Sequence, residues 1–147
     1  IFEEINTWFP ENKLTSKFSD GNRFKDVSQG SAEQKASAIL SFLLSYGTEP
    51  LVLDQPEDDL DNGLITNLIV SKLHQNKADR QIIVVTHNPN IVVNGDSEYV
   101  IALEDRGQIS PMASGALQEV GVRKSVCEIM EGGEVALQKR YKRMFNI

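Results

Sequence analysis

Apolar residues change their spacing several times along the chain, and each change marks a predicted element. Ala36, Ile39, Leu40, Leu43 and Leu44 recur at three- and four-residue intervals, which predicts a helix from about Ala32 to Tyr46 closed by Gly47. PLVLD, residues 50–54, is short and continuously apolar, as a buried strand is. A second helical period, Leu64, Ile65, Leu68, Ile69 and Leu73, runs from about Asp61 to Asn76. QIIVVT (81–86) and EYVIAL (98–103) are two further buried strands, and EDRGQI reads as a turn into an edge strand ending near Pro111. Two helices parted by Gly132-Gly133 follow, one lined by Val122, Val126, Ile129 and Met130, the other by Leu137, Tyr141 and Phe145. At the other end, IFEEINTWF fits the tail of a helix. TSKFSDGNRFKDVS fits two short strands about an Asp20-Gly21 turn.

Helices alternating with continuous apolar strands predict an α/β fold, a mostly parallel sheet covered by helices on both faces, with a small β-hairpin near the N-terminus. In such sheets ligands gather at the carboxyl ends of the strands, where Asp54 and His87 stand.

The 147 residues suit one domain, and 40% apolar with 24% charged residues is a globular composition. A net charge of −6 gives no overall attraction to nucleic acid. Lys139, Arg140, Lys142 and Arg143 still form a local basic cluster, which a solvated helix end also explains. Cys127 is the sole cysteine, so no internal disulfide forms. No apolar run approaches the ~18 residues of a membrane span and no signal peptide is visible, which points to the cytoplasm.

Three places can carry chemistry. Asp54 ends a strand, where a rigidly held carboxylate binds Mg²⁺ beside nucleotide phosphates; capping the turn before Pro56 is the plainer role. Glu57, Asp58, Asp59 and Asp61 follow at once. THN, residues 86–88, ends the next strand, and its His87 suits either a γ-phosphate contact or an ordinary turn, while His74 reads as surface. VSQGSAEQK (27–35) leads into the first helix: Ser31 and Gln34 fit an S-x-x-Q capping box, and the same helix start suits an anion.

The order of these parts resembles the second half of ABC/SMC-like ATPase heads (RecF-like, AAA-type P-loop NTPases). VSQGSAEQK matches the signature motif, LVLDQPE Walker B, EDDLD the D-loop and VVTHN the switch-histidine loop, together covering about residues 27–88. SYGTEPLVLDQPEDDLDN, RQIIVVTHNPNIVVNGDSEYVIAL and VCEIMEGGEVALQKRYKR further resemble TrlF-type ATPases, in which such a head follows a PHP-type phosphoesterase domain. The resemblance implies that Asp54 holds Mg²⁺ through water and that His87 senses the γ-phosphate of ATP. Ser28, Gly30 and Gln34 would meet ATP on the opposite protomer of a head-to-tail homodimer, and Asp61 would lie at that interface. It also implies work in nucleic-acid maintenance, repair or defence, with nucleic acid and a PHP-type phosphoesterase domain as partners.

The chain departs from that pattern in three ways. No glycine is followed by lysine, so the Walker A loop is missing; residues 1–147 read as one C-terminal lobe whose Walker A lobe lies upstream, inactive alone. Ser31, Ala32 and Glu33 separate Gly30 from Gln34, so the signature is longer than L-S-G-G-Q. Gln55 stands where these heads carry the glutamate that polarises the attacking water. Glu57 is the expected replacement base; the alternative is a nucleotide-gated clamp with little hydrolysis that positions a separate effector.

Overall fold

The computed structural model describes residues 15–19, 23–105 and 107–145. The predicted helix tail at 1–9 and the Asp20-Gly21 turn lie outside them. The two strands expected around that turn are present as β1 (Lys17–Ser19) and β2 (Phe24–Asp26), paired antiparallel with Lys17 opposite Asp26. A single 3₁₀ turn, Val27–Gln29, leads to α1 (Ala32–Ser45). Ser31 closes the predicted capping box: its hydroxyl accepts from the Gln34 N–H at 3.2 Å, and the Gln34 amide oxygen accepts from the Ser31 N–H at 3.1 Å.

β3 (Leu51–Asp54) and β4 (Ile82–Val85) are parallel neighbours in strict register, Leu51 opposite Ile82 and Asp54 opposite Val85. Between them runs α2, built as Asn62–Leu64, a π-helical Ile65–Val70 and Ser71–Asn76. After β4 comes a second π-helical segment, Asn90–Asn94, packed against the first. β5 (Val100–Asp105) and β6 (Ile109–Gly115) form an antiparallel pair with an irregular register at Ala102/Leu103. The helices α3 (Val120–Glu131) and α4 (Glu134–Phe145) complete the described chain, with Gly132 in the left-handed conformation that ends α3.

Leu40 and Leu44 of α1, Leu53 of β3, Ile65, Ile69 and Leu73 of α2, and Ile91 form the main core. A second cluster of Val92, Val122 and Val126 seats α3 on the β5–β6 pair. Among the described residues the strands do not join into the mostly parallel sheet expected from the strand pattern. The described residues make three two-stranded sheets, two of them antiparallel. The run at 98–103 folds back on its sequence neighbour, because closing a short turn costs less chain entropy than a crossover to the β3–β4 edge. Among the described residues helices cover only one face of the β3–β4 pair. Leu51, Leu53, Ile82 and Val84 face the helices, while Val52 (65% exposed), Ile83 (47%) and Val85 (52%) leave the other face bare.

Candidate functional site: the carboxyl edge of β3 and β4

Parallel pairing brings the ends of β3 and β4 side by side, so the residues that follow Asp54 and Val85 share one edge. Asp54 is exposed, and its carboxylate takes part in no hydrogen bond or ion pair among the described residues. The chain then turns sharply. Gln55 adopts a left-handed φ of 44° while its N–H donates to the Val85 carbonyl at 2.8 Å, extending the ladder by one bond. Pro56 and Glu57 turn inward and are buried, whereas Asp58 and Asp59 point to solvent.

Glu57 is 5% exposed, and its Oε1 is the centre of the edge. It accepts from the Thr86 hydroxyl at 2.5 Å and from the His87 N–H at 3.0 Å. The ring Nδ1 of His87 lies 3.4 Å from the same oxygen. Thr86 Oγ1 in turn accepts from the Asn88 N–H at 3.0 Å, and Asn88 Oδ1 from the Asn90 N–H at 2.9 Å. Oε2 of Glu57 is sealed from solvent and has no hydrogen-bond partner among the described residues. The histidine ring remains well exposed above this base. Thr86 was legible only as part of the THN run; a hydroxyl directly before the histidine was the one sequence sign of its linking role.

The other predicted residues lie apart. Ser28 is exposed, its Oγ donating to Asp26 Oδ1 at 2.6 Å, and Gly30 packs tightly, a Cβ there meeting Gln34 and Phe18 at 3.2 Å. Gln34 is engaged in the capping box. No hydrogen bond or ion pair joins these three to Asp54 or His87 among the described residues. Asp61 caps α2, accepting from the Leu64 N–H at 2.7 Å. His74, read as surface, is exposed and contacts the Asn94 carbonyl at 2.8 Å.

A solved structure of an SMC ATPase, a protein studied for ATP-driven dimerization and DNA-stimulated activation, superposes with a TM-score of 0.55 at 18% identity. The fold is SMC ATPase-like. The likeness covers 69% of this chain and 66% of that chain, so the matched region is just under two thirds of the solved chain's length. No protein-family model matches the sequence. No curated protein matches it either.

Mg²⁺ is the ion the sequence resemblance implies, and the exposed carboxylate of Asp54 is the group at this edge that would hold it. Among the described residues no cluster of three or more acidic, histidine or cysteine side chains could hold a metal ion unaided. One free carboxylate at a strand end is the donor set of an ion that keeps waters and takes phosphate oxygens for the rest. Among the described residues no helix is long and apolar enough to cross a membrane.

Proposed function

We propose that this chain is the C-terminal lobe of an SMC-like ATPase head that binds Mg-ATP at the β3–β4 edge and dimerises head to tail around it. The carrying observation is the pairing of a free Asp54 with the Thr86–His87 loop at the ends of two parallel strands, in an SMC-like fold. Asp54 would bind Mg²⁺ through water and His87 would contact the γ-phosphate. Ser28, Gly30 and Gln34 would meet the nucleotide of the other protomer, with Asp61 at the interface between them. When bound, the metal neutralises charge on the β- and γ-phosphates. The bare apolar face of Val52, Ile83 and Val85 supports an upstream Walker A lobe as the covering partner, since large exposed apolar faces mark interaction surfaces. The full protein would act in nucleic-acid maintenance or defence in the cytoplasm, coupled to a PHP-type phosphoesterase domain as in the TrlF-type proteins it resembles.

The test is the mass of the intact protein in solution with and without Mg-ATP. Wild type should dimerise on adding it and Asp54→Asn should not; a wild-type mass indifferent to Mg-ATP sinks the reading. A second reading, a nucleotide-gated clamp with little hydrolysis, is favoured by Gln55 at the usual base position and by the sealed carboxylate of Glu57. Single-turnover hydrolysis separates the two, because a clamp would bind and dimerise without appreciable turnover.

A further inference from the structure

We propose that Glu57 is a positioning residue for His87, holding the histidine loop through one carboxylate oxygen, and not the acceptor of the attacking water's proton. The proposal rests on the reading of His87 as the γ-phosphate contact. A general base must offer a free lone pair to a water that touches the substrate. Oε1 is committed to the Thr86 hydroxyl and the His87 N–H, and it faces His87 Nδ1. Oε2 has no opening to solvent. The Glu57 side chain is 4% exposed and that of His87 67%, so the acid lies beneath and the histidine reaches outward.

The contacts also explain why a long acid stands at this position. The turn set by Gln55 and Pro56 drives Glu57 under the end of β4, where a single oxygen receives both a side-chain and a backbone donor. Thr86 passes the restraint on by accepting from the Asn88 N–H, so the backbone is held on both sides of the histidine. A loop fixed in this way presents its ring with little reorganisation when a phosphate arrives. Misplacement of such a group by about 1 Å costs up to ~10²-fold in rate.

The asymmetry between the two oxygens supplies the test. Glutamine can set its carbonyl where Oε1 lies and its amide where Oε2 lies, keeping both accepted bonds; alanine removes them. In the intact protein, Glu57→Ala should lower single-turnover ATP hydrolysis by about 10- to 100-fold. Glu57→Gln should recover most of that loss. The backbone amide of His87, followed with 15N-histidine and assigned by the signal lost in His87→Gln, should move in Glu57→Ala and return toward its wild-type position in Glu57→Gln. A collapse of ~10²-fold or more in Glu57→Gln is the mark of a lost base and overturns the proposal. An alanine variant that leaves the His87 amide in place overturns it too. If wild type neither binds nor hydrolyses ATP, the ATPase reading fails on its own, and the amide signal still decides whether Glu57 holds the loop.

Discussion

The backbone N–H of Gln55 donates to the Val85 carbonyl at 2.8 Å, one step past the last paired residues of β3 and β4, and does so with φ at 44°. A left-handed conformation costs a non-glycine residue about 1–2 kcal/mol. This strain turns the chain so that Glu57 enters the interior.

Substitutions at Gln55 should therefore rank by their tolerance of positive φ. Gln55→Gly should leave stability unchanged or raise it by up to about 1 kcal/mol, while Gln55→Val should lower it by about 2 kcal/mol. Urea unfolding of the three proteins reads the order directly. Equal stabilities for the glycine and valine variants would remove the strain account.

Arg80 is buried and donates from Nη2 to the Leu43 carbonyl at 2.6 Å and from Nη1 to the Tyr46 carbonyl at 2.9 Å. A cation thereby satisfies carbonyls left open at the end of α1 and ties that helix to the start of β4. Arg80→Met keeps much of the volume and should cost about 1–3 kcal/mol. Arg80→Lys should recover only part of it, since one ammonium cannot reproduce the forked pair of bonds. Thermal unfolding of both variants checks the ranking.

Lys77 joins the end of α2 to the segment before β5, with Nζ 2.8 Å from the Asp96 carbonyl, 3.1 Å from Asp96 Oδ2 and 2.9 Å from Glu98 Oε1. Hydrogen bonding to Lys77 lowers the pKa of Glu98, and the bonds to Glu98 and then Asp96 raise that of Lys77. The contribution of Glu98 is therefore present above its ordinary value of 4.5 and lost as pH falls through the lowered value. That of Lys77 is present below 10.5 and lost as pH rises through the raised value. The stability difference between wild type and Glu98→Gln should be flat near neutrality and vanish once the pH has fallen below the lowered pKa of Glu98. A difference that persists in acid would assign it to packing.

Gly95 ends the second π-helical segment, and a Cβ there would collide with the Ile91 carbonyl oxygen and come within 3.5 Å of Leu73 Cδ1. Gly95→Ala should destabilise by about 1–3 kcal/mol, as overpacking does. A melting temperature equal to wild type would show that this backbone yields freely.

Much of this architecture is written in local pattern. The Ser31–Gln34 box and the Leu40–Leu44 stripe place α1, and the runs that became β3 and β4 lie within their predicted bounds. What was hidden depends on distance or on a single dihedral. Glu57, Asp58 and Asp59 look alike as a run of acids, yet the turn after Gln55 buries only the first. Arg80 reads as one more charge in a polar stretch, because its partners lie 34 and 37 residues upstream. The strand at Val100–Asp105 has the apolar run of a parallel strand and pairs as a hairpin, a choice made by the short turn after it.

The two π-helical segments place Ile69 and Ile91 together in the main core, one segment following Asp61 and the other following His87. A π turn holds one more residue than an α turn, so the first segment, flanked by Asn62–Leu64 and Ser71–Asn76, is in effect a one-residue insertion absorbed inside α2. Excising a residue from Ile65–Val70 would return that stretch to α geometry with the flanking turns kept in phase, whereas the same excision from Ser71–Asn76 would swing everything before it by about 100° around the helix axis. The second excision would turn Asp61 and its cap away from their present direction, although no loop had been shortened. A length change within α2 is thus absorbed at Ile65–Val70 and transmitted to Asp61 from Ser71–Asn76.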